Sequence, residues 1–260
     1  MTPQYQIIAI KYATVKRRRQ DNFLYPVAGN PDDHMALDFF VWLIIGPDTV
    51  VLVDTGFSPA SALVRQRAYL VSPTESLQCL GYGPEDIQDV VVTHLHYDHA
   101  GNLDKFPNAR IWVQKREVQF ATGNCMCDSR LNHFFATDDI SRLIKRLYEG
   151  HVRLIDSEYS LRDGIELHCV GGHTDGLQVV RVHTAKGWVV LASDAAHYYE
   201  NLTTENPFPA VFNMDDMLAG YAKLRELADG EENIVPGHDP QVCQRYPSVE
   251  VIGIHAYRIA

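Results

Sequence analysis

No apolar run in this 260-residue sequence reaches the roughly 20 residues that a membrane-crossing helix needs. The N-terminus, MTPQYQIIAIKY, also lacks the apolar block and cleavage signal of an export sequence. Cysteine is scarce and odd in number, five in all at positions 79, 125, 127, 169 and 243. The only close pair, Cys125-Met126-Cys127, has the spacing of neither a zinc knuckle nor a thioredoxin-type motif. Free thiols in a reducing compartment are expected, and with them a cytoplasmic location. Positive charge is in deficit too: 23 Lys and Arg face 33 Asp and Glu, for a formal net charge of −10. A diffuse acidic balance disfavours nucleic acid and anionic membranes as partners, because both require clustered Lys and Arg. The one basic run, Lys16-Arg17-Arg18-Arg19, has no interleaved aromatics and reads as a solvated loop. Linkers, low-complexity tracts and short repeats are missing as well, so residues 1–260 are expected to form one domain.

What remains is an ordinary globular composition, 46% hydrophobic and 22% charged, with enough apolar residues for a core without disulfides. Strand-like runs rich in β-branched and aromatic residues fall at 6–10, 39–45, 49–53, 90–93, 110–113, 151–155, 165–170, 179–183 and 188–192. Helix-like segments are expected at 61–70, around 84–86, and at 115–122, 138–149 and 214–228. Asp138-Asp139 and Asn213 stand as their N-cap signals. Two stretches, 39–99 and 165–238, each run strand, polar turn, strand, then a histidine-bearing loop. In α/β folds, loops beyond strand ends are where chemistry is placed.

The densest such loop is THLHYDH at 93–99, with three histidines and an aspartate in six positions. If strand geometry persists past Thr93, His94 and His96 point to the same face and can reach one cation. Asp98 and His99 follow at a turn, where they can aim at a second ion. Imidazole nitrogen suits zinc, and a carboxylate adds oxygen and charge. Three more strand ends carry ligand-type residues: His173 in VGGHTDG, Asp194 in VVLASDAAH and His238 in NIVPGHD. Each is weak alone; in this order they are a strong signal.

THLHYDH followed by GGH, SDA and PGHD resembles the metallo-β-lactamase superfamily, and VLVDTG at 51–56 resembles the strand and turn before its metal motif. The resemblance spans 39–239. It implies an αββα four-layer sandwich with two divalent metal ions, zinc first among them, at one edge. By position, His94, His96 and His173 would hold one ion, Asp98, His99 and His238 the other, and Asp194 would bridge them. Asp54 would orient a ligand imidazole or serve turn chemistry ahead of Gly56, and Asp239 is a second candidate for orienting a ligand.

Ligand types narrow the branch. Di-iron redox members resemble HxExDH, whereas this chain has His96; main-class β-lactamases have a cysteine where this chain has Asp194. Small-molecule hydrolysis remains. DAAHYYENL at 194–202 resembles the lactonases that open N-acyl homoserine lactones, with glyoxalase-II-type thioesterases or other carboxylic ester hydrolases as the alternative and a di-iron redox protein as the non-hydrolytic one. Those lactonases carry a tyrosine three residues after the bridging aspartate, where this chain has His197, followed by Tyr198 and Tyr199. His197 or Tyr198 would then polarise the carbonyl, with Asp98 or Asp194 relaying the proton. Asp175 also stands where the family's usual GHTPG has proline. Apolar recognition would fall to Phe23, Leu24, Tyr25, Phe134, Phe135, Phe208 and Phe212, with 125–135 as part of a lid. The expected partner is a small-molecule substrate, and a homodimer is one assembly the sequence admits.

Overall fold

The computed structural model describes residues 2–260. The chain opens with β1 (Gln6–Val15), β2 (Leu37–Ile45), β3 (Val50–Val53), α1 (Pro59–Val64), β4 (Ala68–Tyr69) and α2 (Pro73–Cys79). Next come β5 (Asp89–Val91), α3 (Tyr97–Ala100), β6 (Arg110–Gln114), α4 (Lys115–Ala121), α5 (Ser129–Asn132) and α6 (Thr137–Tyr148). The second half supplies β7 (Val152–Ile155), β8 (Glu158–Arg162), β9 (Ile165–Cys169), β10 (Gln178–Thr184) and β11 (Gly187–Ser193). It ends with α7 (Tyr199–Thr204), α8 (Met214–Leu227), β12 (Ile234–Pro236), α9 (Val242–Arg245) and β13 (His255–Arg258).

These strands form two sheets, ordered β13-β1-β2-β3-β5-β6-β7, with β4 on β1, and β12-β11-β10-β9-β8. Side-chain alternation explains how they stack. In β1, Ile7 and Ala9 face one core while Ile8 and Ile10 face another. In β11, Val189 and Leu191 join Ile7 and Ala9 between the sheets, while Val190 and Ala192 pack outward on Met217, Tyr221 and Leu224 of α8. The outer face of the first sheet is covered by residues such as Leu77 of α2 and Leu143 of α6. Both faces of each sheet are therefore buried, which gives the four αββα layers.

Some local expectations differ from what forms. The helix expected at 61–70 starts earlier, where Ser58 accepts from Ser61 N and Pro59 opens the helix, and ends at Val64. Residues 68–69 instead pair with β1. Around 84–86 the chain makes a turn closed by Gly83 N donating to Asp86 Oδ2 at 2.8 Å; the helix lies upstream, opened by Pro73. Ala136 occupies the N-cap of α6, and Asp138 and Asp139 sit in its first turn, where the helix dipole favours them. Asn213 caps α8 as expected, accepting from Asp215 N and Asp216 N.

Candidate metal centre

The parallel run β3, β5 and β6 sends its loops to one edge, as does the parallel pair β11 and β12. Four loops deliver the sequence-predicted ligands there. Val92, Thr93, His94 and Leu95 follow β5 directly. His96 then occupies the N-cap of the single-turn helix α3 in extended conformation (φ −64°, ψ 154°), and that turn swings Asp98 and His99 to the same side. His173 comes from the loop between β9 and β10. Two glycines allow that loop to sit so close: a Cβ at Gly172, which also has φ +88°, would lie 2.6 Å from Met217 Cα, and one at Gly176 would lie 2.2 Å from Glu117 N. Asp194 and His238 end neighbouring strands.

All seven side chains are buried and converge. His96 Nδ1 lies 3.1 Å from His94 Nε2 and 2.9 Å from His173 Nε2, so these three nitrogens define one point. Asp98, His99 and His238 form a second group. Asp194 stands between: Oδ2 lies 3.2 Å from His173 Nε2, and Oδ1 lies 3.0 Å from His238 Nε2 and 3.3 Å from His99 Nε2.

Three of the rings are oriented from behind. His99 Nδ1 donates to Asp54 Oδ2 at 2.7 Å, His173 Nδ1 to the Ala210 carbonyl at 2.7 Å and His238 Nδ1 to the Asp38 carbonyl at 2.7 Å. A proton on Nδ1 leaves a lone pair on Nε2 directed inward. Of the two readings for Asp54, contact with a ligand-type imidazole is the one observed. Asp239 instead accepts from Tyr199 N and Gln241 N and touches no ring of the cluster.

Burial holds His94 and His96 well below the ordinary imidazole range and brings His173 down to about 4, so all three are neutral donors at neutral pH. Burial also opposes charge on His99 and His238, but the surrounding carboxylates, Asp194 foremost, outweigh it and raise both. Asp194 is lowered well below its usual range: burial would raise it, and the imidazoles of His197, His238, His99 and His173 prevail. The buried His99 Nε2 has no hydrogen-bond partner among the described residues. The neutral imidazoles of His94, His96 and His173, an unpartnered ring nitrogen on His99 and a shared carboxylate fit a pair of borderline cations.

Two residues sequence reasoning left as alternatives are separated here. His197 is buried with the cluster, its Nε2 3.0 Å from Asp194 Oδ2 and its ring stacked on Phe208 at 4.0 Å. Tyr198 points the other way: its hydroxyl donates to the Ala36 carbonyl at 3.1 Å, and its ring packs near Phe23 in the core. The structure does not bring Tyr198 to the cluster.

A cavity of about 270 Å³ opens onto His96, Asp98, His173, Asp194, His197 and His238, with Phe39, Phe134 and Phe208 on its walls. A second, of about 360 Å³, shares His96, His173 and Phe134 and adds Phe120, Phe135 and Phe212. Phe23, Leu24 and Tyr25 line neither. Arg130, Leu131, His133, Phe134 and Phe135 form a wall of the second cavity, with the Phe134 ring stacked 5.0 Å from His96. Sequence reading missed Glu117, which no local motif marks. Its buried carboxylate accepts from Leu95 N (2.9 Å), Thr174 Oγ1 (2.7 Å) and Gly176 N (3.0 Å), clamping the loop of His94 and His96 to that of His173.

The metallo-beta-lactamase superfamily model matches residues 40–238, which include every residue of the cluster. The chain belongs to the metallo-beta-lactamase superfamily. Within that superfamily it is 30% identical over 237 residues to an N-acyl homoserine lactonase of Bacillus sp, covering 84% of this chain and 88% of the relative. The lactonase of Bacillus cereus is 29% identical with the same coverage. A crystal structure of a quorum-quenching N-acyl homoserine lactone hydrolase superposes with a TM-score of 0.75 at 26% identity, covering 98% of this chain and 99% of that one.

Proposed function

We propose that this superfamily member is a dinuclear metal-dependent hydrolase of a small molecule that opens lactone rings, N-acyl homoserine lactones among them. The observation that carries the reading is the division of Asp194: one carboxylate oxygen faces the His94, His96 and His173 group, and the other faces His99 and His238. On this reading the first group holds one ion, Asp98, His99 and His238 hold the second, and Asp194 joins them. Zinc is the proposed ion, because the donor set is rich in imidazole nitrogen with few carboxylates. When bound, such ions polarise a carbonyl and make water acidic enough to supply a nucleophile near neutral pH.

The chain's own groups do the rest. The Nδ1 donors hold three rings so that little reorganisation is needed when substrate binds. His197, at the cavity wall beside Asp194 Oδ2, donates to the carbonyl oxygen as negative charge grows there. Burial keeps His197 below the ordinary imidazole range, so it acts as a neutral donor. Asp98, which also lines the cavity, carries the proton from the attacking water to the ring oxygen that leaves. Water adds to the acyl carbon, the ring C–O bond breaks, and a hydroxy acid results. A cytoplasmic, reducing compartment is the proposed location, supported by five free cysteines.

The test is a pH-stat panel of acyl homoserine lactones, simple γ-lactones, aryl esters and glutathione thioesters, with metal content and visible absorption measured on the same sample. Lactones should lead, on a colourless protein. Thioesters leading would move the chain to the thioesterase reading, and a visible band with no hydrolysis would move it to redox chemistry.

A further inference from the structure

The basic run near the N-terminus is not a uniformly solvated loop. Arg18 pairs with Asp21 and Arg19 with Glu200, but Arg17 turns inward and lines the cavity of the metal centre. Arg67 lines the same cavity. Strand pairing explains the coincidence. β4 runs antiparallel to β1 with Ala68 opposite Thr14, so Arg67 falls opposite Val15 on the rim that Arg17 continues.

Both guanidiniums are half-buried, and among the described residues neither has an ion-pair partner. Arg17 uses Nε on Asn22 Oδ1 at 2.6 Å and one terminal nitrogen on the Asp21 carbonyl. Arg67 uses Nε on the Tyr97 hydroxyl at 3.0 Å. One terminal nitrogen of Arg17 and both of Arg67 have no acceptor among the described residues. Two like charges placed together and partly withdrawn from water oppose each other; Arg17 is lowered first by burial and further by Arg67. An anion entering the cavity would relieve both costs. Arg17 also lies over the Phe208 ring, 5.0 Å from its centroid, and Phe208 stacks on His197, so one aromatic layer separates the guanidinium from the reacting centre.

We propose that Arg17 and Arg67 form an anion-binding subsite, and that the preferred lactone or ester carries a carboxylate besides the carbonyl that is attacked. The inference rests on the hydrolase reading and narrows its substrate class. The cavity of about 270 Å³ suits a compact acid whose carbonyl meets the cluster while its carboxylate meets the arginines. The adjoining cavity has an aromatic wall of Phe120, Phe135 and Phe212, and the arginine on its lining, Arg130, is already paired with Asp128, so this cavity would take an apolar arm.

The test compares γ-carboxy-γ-butyrolactone with its carboxamide, a neutral ring of the same size, on the metal-loaded enzyme. The carboxylate should be preferred in kcat/KM by roughly 10-fold or more. That ratio should collapse towards one in Arg17→Gln and Arg67→Gln and survive in part in the Lys variants, which keep the charge. Equal turnover of the two rings by the unaltered enzyme, or a ratio indifferent to both substitutions, overturns the proposal. Calorimetric binding of hydroxyglutarate and of hydroxybutyrate to the same samples is independent of turnover. Arginine-dependent preference for hydroxyglutarate with no hydrolysis of either ring would keep the subsite and refute the hydrolase reading. Hydrolysis without arginine-dependent discrimination would do the reverse.

Discussion

Asp54→Asn tests how the cluster is held. Asp54 Oδ1 accepts from Thr93 N at 2.8 Å, while Oδ2 accepts from Thr93 Oγ1 at 2.8 Å and from His99 Nδ1 at 2.7 Å. A carboxylate only accepts, so His99 carries a proton on Nδ1, and Nε2 is the nitrogen a metal ion would take in place of a proton. An amide of the same shape keeps the Thr93 N–H bond through its oxygen and turns NH2 towards His99. Nδ1 must then accept, the proton moves to Nε2, and the nitrogen 3.3 Å from Asp194 Oδ1 can no longer serve as a ligand. Losing an orienting carboxylate typically costs about 10–100-fold in metal affinity, and an inverted tautomer belongs at the upper end. The fold should suffer little. The two hydrogen bonds at the Oδ2 position, from Thr93 Oγ1 and His99 Nδ1, are weakened, together about 1–2 kcal/mol or a few degrees in Tm, and Asn tolerates the φ of +61° at this position. Competition of the metal-free variant against a chelating dye should show one equivalent bound as before and the other weakened about 100-fold. Two unaltered equivalents with full turnover would refute the tautomer argument.

Asp194→Ala should leave at most one ion by elemental analysis while the fold persists, because the strands behind it remain packed; two retained ions with normal turnover would remove Asp194 from the bridging position. His197→Ala should lower lactone turnover roughly 10²–10³-fold with metal content intact, and His197→Tyr should recover part of that loss. Tyr198→Phe, by contrast, loses only the bond to the Ala36 carbonyl and should cost about 1 kcal/mol in urea melts, with turnover unchanged. Burial pushes the Glu117 carboxyl from 4.5 up to about 7, against its three hydrogen-bond donors. The folded state therefore keeps a proton that the unfolded chain releases, and stability falls as pH rises from about 4.5 to 7. Glu117→Gln should flatten that segment of the stability profile, by up to about 3 kcal/mol; parallel profiles would contradict it.

The parts of this protein legible in its sequence are those where chemistry is written locally. His94, His96, Asp98 and His99 sit within six positions, and a β-branched strand before them states which end of the sheet they reach. Asp194 and His238 are far apart in sequence, yet each ends a strand, and strand ends of neighbouring parallel strands meet. What could not be read depends on orientation or on contacts between distant segments. Adjacent residues His197 and Tyr198 diverge, one to the cluster and one to the core, because the chain turns into α7 between them. Glu117 looks like any acid in the first turn of a helix until the loop of Gly176 packs on it. Arg17 belongs to a run that looks solvated, and only the pairing of β1 with β4 brings Arg67 to the same rim. Short elements such as α2 and β4 carry too few residues for periodicity to show.

On the proposed function, this metal centre adds water across the acyl C–O bond of a lactone. The direct measurement is mass spectrometry of N-hexanoyl homoserine lactone incubated with the metal-loaded enzyme in ¹⁸O-labelled water. The expected product is N-hexanoyl homoserine with one label in its new carboxylate, with none formed once a chelator has stripped the metals. Release of hexanoate and intact homoserine lactone, label in the alcohol, or hydrolysis that survives metal removal would contradict it.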